Sequence, residues 1–460
     1  MSHRGAEVVS AADYYLEAGT SQEFVFTGGQ TGHNADGKLV LSFDELDPSV
    51  RHELSTGFLL VDAPERRVLP QAWQALQNLE DSLRKQGSSL VQVAHLRVFL
   101  RDPQHYRGVV RVLRHVFGEN LPSATVLGAT APGVDPRVDV LLDAIALHGD
   151  RRPDHRTVDP LGRLTAPFPN ATVAGSLVFT TPVGGVDPAT GLAVGSFEQL
   201  SAPDAANGRA NCPDPWSEAA VAEHIALWRN VRTVLEGVGS DFGQLVRQCG
   251  WLGQSLQDYA PTAHIRKHIM SEQNRSAMSA FPMSWLPDPH AAVMFGVIAV
   301  SESGRATGGE RHNPPAPHGV GPYYVPATRA RDVIFPAGEV PINTELPKHI
   351  DGFDDLDVAL KPRLSGRIVE EIDNTSQTHF IYNKIGETLA AHGASLADVV
   401  HQTVYLRQPY KLPAVERVAT LFFGPTLPAT TVVPIVGTSP FAEASVEIEV
   451  TAVSPRSGKA

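Results

Sequence analysis

Cysteine is nearly absent from this chain, with Cys212 and Cys249 the two in 460 residues. Two thiols make neither a disulfide framework nor a cysteine zinc site, so the sequence reads as that of a reduced, cytoplasmic protein. Long apolar runs are absent as well. The nearest, Ala291–Val300, falls short of the ~20 residues that cross a bilayer, and the opening residues lack a signal-peptide core, so no membrane association is expected. A basic surplus is missing too. Against 38 Lys and Arg stand 50 Asp and Glu, a formal net charge of −12, and no Lys/Arg run offsets it. Nucleic acid is thereby excluded as a partner. Gly28-Gly29 closes an apolar run without any Gly-x-Gly-x-x-Gly or Gly-Lys-Ser/Thr context, so no phosphate loop is present either. What remains is a globular protein acting on a small molecule, with no cofactor expected.

The apolar fraction, 42%, is ordinary, and 460 residues suit about three domains of ~150 better than one core. A repeat gives those domains substance. The stretch Gly393-Ala-Ser-Leu-Ala-Asp-Val-Val-His-Gln-Thr-Val-Tyr-Leu-Arg407 has an earlier copy, Gly87-Ser-Ser-Leu-Val-Gln-Val-Ala-His-Leu-Arg-Val-Phe-Leu-Arg101, and a weaker one at Gly239–Leu252. The copies start 152 and 154 residues apart, and they align Leu90, Phe242 and Leu396 as well as the aromatics Phe99, Trp251 and Tyr405. The chain is a tandem triplicate, with units expected at 1–150, 151–305 and 306–460.

Each unit reads as strand, helix, strand, helix, strand, the order of an α+β sandwich. In the first, Glu23–Thr27 predicts a strand, residues 34–66 a long loop broken by Pro48 and Pro64, and Trp73–Leu83 a helix stopped at Gly87. Strand 91–100, a helix over 103–117 and strand 138–147 follow. The second repeats the plan with a helix over 218–236, strand 246–252 and strand 291–300, after a linker at 149–169. A second linker, 303–322, leads to the third, with helices at 380–392 and 414–423 and a closing strand at 444–453. There Val446, Ile448 and Val450 alternate with Glu447 and Glu449, the period of a half-buried strand.

At these residues the repeats resemble the RidA/YjgF family of small trimeric imine and enamine deaminases. The likeness lies in the helix-Gly-strand block, Leu421-Phe-Phe-Gly424, the Pro428–Thr431 turn, Val446-Glu-Ile-Glu449 and Gly321-Pro-Tyr-Tyr324. The first unit carries it in Val116-Phe-Gly118 and Asp143-Ala-Ile-Ala146, and the second is the most diverged. The resemblance implies a pseudo-trimer made by one polypeptide, with three unlike clefts between units, and further self-association is an open possibility. It also implies an arginine that grips a substrate carboxylate, and this chain lacks it. By alignment Ala124, Ser284 and Thr430 stand in its place. The family glutamate survives as Glu447, with Leu141 and Met294 elsewhere, and the family tyrosine as Tyr15 and as Tyr323 or Tyr324, with Phe168 in the middle unit.

The expected site therefore has Glu447, His95, His401, Tyr15 and Tyr324 as catalytic groups, and Arg97, Arg247, Thr430, Gly29 and Gly338 for substrate binding. His95, Arg97 and Phe99 share one strand face, as do Arg247, Cys249 and Trp251, and His401, Thr403 and Tyr405. Such a face lines clefts or a central channel, or forms a polar contact between units. Cys249 reads either as a nucleophile or as a small buried side chain. His264, His268 and Glu272 fall on one helix face, but without a His-Glu-x-x-His pattern the expectation is a solvated surface and no metal. The function expected is hydrolytic deamination or tautomerisation in an inter-unit cleft. A chorismatase-like activity on the same fold and a non-catalytic metabolite scaffold are the alternatives.

Overall fold

The computed structural model describes residues 14–55, 63–253, 259–271, 274–308, 311–312, 325–343, 348–356, 371–438 and 444–455. In the first unit an antiparallel pair, β1 (Ala18–Thr20) and β2 (Phe24–Thr27), precedes α1 (Pro48–Ser55) and α2 (Ala63–Lys85). Then come β3 (Val93–Leu100), α3 (Tyr106–Phe117), β4 (Ser123–Gly128) and β5 (Val140–Leu147). The second unit has β6 (Ala171–Ala174), β7 (Leu177–Thr180), α4 (Ala202–Asn211), α5 (Glu218–Gly237), β8 (Leu245–Leu252), α6 (Tyr259–Ile269), β9 (Ala277–Pro282) and β10 (Val293–Val300). The third has β11 (Ala327–Ala330), β12 (Val333–Pro336), α7 (Ile372–Ala390), β13 (Val399–Leu406), α8 (Leu412–Phe423), β14 (Ala429–Pro434) and β15 (Val446–Val453).

The three sheets have one topology: β1-β2-β5-β3-β4, then β6-β7-β10-β8-β9, then β11-β12-β15-β13-β14. Even their irregularities coincide. The ladder slips between Val93 and His95, between Leu245 and Arg247, and between Val399 and His401, one repeat position in three copies. Gly87, Gly239 and Gly393 all take positive φ, 69°, 78° and 71°, just before the 3-10 turn that leads into this strand. A residue without Cβ reaches that conformation at little cost, which is why glycine recurs at the turn.

Some expectations change. Residues 48–55 form α1 and α2 begins at Ala63, so the supposed loop over 34–66 is largely helical at its end. Its prolines sit at helix starts, where the missing N–H has no intrahelical partner to lose. Helix α7 begins at Ile372, well before Phe380. The linker at 149–169 holds a short strand, Asp154–Arg156, that pairs with β6. Most of the linker at 303–322 lies outside the described residues.

Each unit packs its helices on one face of its sheet, with a separate apolar core between them. The other faces meet at a common axis. Phe26, Phe179 and Phe335 close one end with neighbours from all three units, and Phe99, Trp251 and Tyr405 close the other. A sheet with one helix-covered face must bury the second, and three sheets do so mutually.

The seams close a ring. The Ser123 and Ala124 N–H groups of unit 1 donate to Thr172 and Thr181 of unit 2, at 3.0 and 3.1 Å. The Ala277 N–H of unit 2 donates to Thr328 of unit 3 at 3.0 Å, and the Gly338 N–H of unit 3 donates back to Ser279 at 2.9 Å. The Gly29 N–H of unit 1 donates to the Thr430 carbonyl of unit 3 at 3.0 Å. The fold is thus α+β, three tandem sandwiches arranged as a pseudo-trimer.

Candidate functional site

The axis encloses a cavity of about 70 Å³ lined by His95, Arg97, Asp143, Arg247, His401 and Glu449, among others. That is room for a few waters. Its charges balance in pairs. Arg97 grips Asp143 with Nε to Oδ1 at 2.8 Å and Nη2 to Oδ2 at 2.5 Å, and reaches Thr403 Oγ1 of unit 3 at 3.0 Å. Burial opposes ionisation of Asp143, but Arg97, by charge and hydrogen bond, and the Thr431 hydroxyl hold its carboxyl below the usual range. Arg247 lies 2.9 Å from Glu449 and donates to the carbonyls of Pro336 and Val450 at 2.7 and 2.8 Å.

The histidines here are neutral. His95 sits between Ser123 Oγ and Thr125 Oγ1, at 2.9 and 3.0 Å, and burial next to Arg97 lowers its pKa to about 3. The same two causes put His401 at about 3. Burial, with Glu449 nearby, pushes the Cys249 thiol up to about 12, which leaves it protonated and poorly nucleophilic. The shared strand face is therefore a central channel wall that also joins the units. His95, His401, Arg97 and Arg247 gather there, away from the other predicted site residues.

Those others divide between two seams. Gly29 and Thr430 meet where unit 1 packs on unit 3, and the Tyr15 hydroxyl there donates to Glu416 on α8. Burial first, then Glu416, raises the Tyr15 pKa. Glu447 and Gly338 meet where unit 3 packs on unit 2. A Cβ on Gly338 would stand 2.7 Å from Glu447 Oε1 and 2.9 Å from Ser279 Oγ, so glycine makes room for the carboxylate. Tyr324 and Glu272 lie outside the described residues. The His264 and His268 rings lie 5.4 Å apart between centroids, tilted by 49°, and the described residues contain no cluster of three potential metal ligands.

Strand register corrects one assignment. Leu96 lies opposite Ala124 and Gln402 opposite Thr430, and at the same place in unit 2 Gln248 lies opposite Met278. Met278, rather than Ser284, therefore holds the third arginine position. Ser284 lies six residues on, where its N–H reaches the Gly128 carbonyl of unit 1 at 3.3 Å. Register also pairs Phe99 with Leu141, Trp251 with Met294 and Tyr405 with Glu447, which makes Leu141 and Met294 equivalent to Glu447.

The third seam, between units 1 and 2, holds a cleft of about 400 Å³, the size of a small-molecule site. Ala124, Phe168 and Met294 line it, so the positions aligned with family polar residues are apolar here. The hydroxyls of Thr165 and Thr181 are spent on the wall: Thr165 donates to the Phe168 carbonyl at 2.9 Å and Thr181 to the Pro169 carbonyl at 2.7 Å. No Lys, Arg or His is among the described residues lining the cleft, and Asp288 supplies its one carboxylate. Asp288 Oδ1 accepts from the His290 N–H at 2.9 Å. Tyr106, at the start of α3, is the other titratable wall residue, and burial raises its pKa. Neither residue belongs to a repeated pattern, so sequence reasoning passed over both.

Fold and cleft together define a class: a pseudo-trimeric α+β protein with a cleft of small-molecule size at one seam. The profile of the endoribonuclease L-PSP family matches residues 61–148 and 314–454, in the first and third units. The first and third units belong to this family, the RidA/YjgF family, and the second repeats their sheet topology as a diverged copy. Among solved structures it is similar to a chorismatase, at 15% identity over 78% of this chain and 93% of that one, with a TM-score of 0.45. It is similar to RidA from the Antarctic bacterium Psychrobacter sp. PAMC 21119, at 21% identity over 30% of this chain and 93% of that one, TM-score 0.23. A YjgF-family member from Mycobacterium tuberculosis matches at 23% identity over 31% of this chain and 99% of that one, TM-score 0.23. Comparison with curated proteins finds no match. No helix among the described residues is long and apolar enough to cross a membrane.

Proposed function

We propose that the protein hydrolyses a small imine or enamine that carries no carboxylate, in the cleft between units 1 and 2. One observation carries this reading: a cleft of ligand size whose walls, among the described residues, offer apolar surface and a single carboxylate, with no cation to hold an anion. Such a wall favours a neutral or protonated nitrogen over an amino-acid-derived carboxylate. In the reaction, water adds to the carbon of C=N while Asp288 takes its proton. The carbinolamine then collapses to a carbonyl compound and ammonia, the proton returning to nitrogen. Apolar wall residues such as Phe168, Val126 and Met294 lower the local dielectric and strengthen the attraction between Asp288 and the iminium.

The test supplies imines in situ, from amines with an amine oxidase and from amino acids with an amino-acid oxidase, and follows ammonia release. Faster release from the amine-derived imine alone, lost in Asp288→Asn with an unchanged melting temperature, is the expected result. Glu447 supports a second reading, since it keeps a buried carboxylate at the seam between units 2 and 3. Activity lost in Glu447→Gln and kept in Asp288→Asn would move the site there. Chorismate carries two carboxylates and so fits the cation-free cleft poorly, which sets the chorismatase-like alternative behind both. Saturable binding without ammonia release from either source would leave the scaffold reading.

A further inference from the structure

A second, much smaller pocket lies within unit 2, between α6 and its sheet, with space for about one water-sized sphere, 10 Å³. His224, Tyr259, Arg266, Met278 and Phe295 contribute to its wall. One of these groups carries an unmatched donor and another an unmatched charge. The indole N–H of Trp228 donates to His224 Nε2 at 3.0 Å, so the neutral ring carries its proton on Nδ1. That Nδ1–H is buried and meets no acceptor, in a side chain only 1% exposed. Arg266 is a partly buried guanidinium with no Asp or Glu within ion-pair distance among the described residues. Burial accordingly lowers its pKa from the ordinary value.

A partly buried cation with no counter-charge among the described residues, beside a buried N–H without an acceptor, is an arrangement that folding alone disfavours. Water would satisfy the N–H but leave the charge unmatched. We propose that this pocket is a monoanion site, in which Arg266 supplies the charge and His224 Nδ1–H a second donor, sized for a halide or for one inserted oxygen of a small carboxylate. The site is independent of the seam cleft and of the reaction assigned to it.

The test uses the full chain, in sodium gluconate at constant ionic strength, titrated with sodium bromide in one arm and sodium acetate in the other. The expected result is a saturable rise in melting temperature in at least one arm, which identifies the guest as halide or carboxylate. Arg266→Met should abolish the saturable rise while keeping the circular dichroism spectrum. Crystals grown in bromide should show an anomalous peak beside Arg266 and His224, a readout that needs no variant. A bromide map without that peak, together with equal acetate responses in the wild type and Arg266→Met, would overturn the proposal.

Discussion

Acidification should destabilise this protein steeply between pH 6.5 and 5. Three fully buried histidines, His95, His224 and His401, are held neutral with pKa values of about 3, burial being the largest cause for each. In the unfolded chain each returns to about 6.5. The folded value lies below the unfolded one, so the unfolded state binds more protons throughout this window. Their contribution is complete above pH 6.5 and is lost as pH falls. Each histidine contributes about 1.4 kcal/mol per pH unit, so three give a slope of about 4 kcal/mol per unit. From pH 6.5, where each unfolded histidine is already half protonated, to pH 5 the loss is roughly 5 kcal/mol, a large part of the ~5–15 kcal/mol that holds most proteins folded. This figure requires only that the folded values lie well below 5. Urea unfolding followed by the fluorescence of the buried Trp228 and Trp251 at pH 7.0, 6.0, 5.5 and 5.0 measures the slope. Replacing His401 by Gln should remove about a third of it. A midpoint that stays constant from pH 7 to 5 would refute the reasoning.

Asp143→Ala leaves Arg97 charged and unpaired at the axis and should cost about 3–5 kcal/mol, whereas the double variant Arg97→Met, Asp143→Leu should recover most of that in a double-mutant cycle. Because Arg97 helps hold the Asp143 pKa down, this pair's contribution persists above about pH 4 and fades only below it, apart from the histidine window. Gly19→Ala places a Cβ 2.1 Å from the Val400 carbonyl oxygen across the seam between units 1 and 3. Backbone cannot yield as a side chain does, so thermal unfolding should report a loss of at least about 2 kcal/mol. Phe281 stacks on Tyr405 of unit 3 at 3.6 Å and on Trp251 at 5.5 Å, so Phe281→Ala should cost about 3–5 kcal/mol and loosen the join between units 2 and 3 in hydrogen exchange.

Much of the fold was legible because its signals are local. The positive-φ glycines at 87, 239 and 393 mark helix ends wherever the chain goes next. Alternation in Val446–Val453 places Glu447 and Glu449 on one face without any knowledge of a neighbour. Pro48 and Pro64 misled for the converse reason, since proline breaks a helix interior but starts a helix well, and residue type alone does not say which applies.

The candidate site was far less legible. His95 and His401 read by repeat position as lining clefts or a central channel or as a contact between units, and only the packing puts both at the axis, where Arg97 and Asp143 surround them. Met278 was hidden because the alignment followed a proline, whereas hydrogen-bond register in the parallel pair β8–β9 decides which residue stands opposite Gln248. Asp288 and Tyr106 belong to different units and to no shared motif, and a ring seam alone makes them neighbours.

The amino-acid sequence by itself determined the threefold repeat, the helices and strands of each copy, and the loss of the family arginine, all of them written in periods and residue types within a few turns of chain. Tertiary structure alone decided which copy packs on which, which polar groups lost their water, and where space was left over. Those depend on the mutual burial of three uncovered sheet faces, a contact between residues hundreds of positions apart that no local pattern encodes.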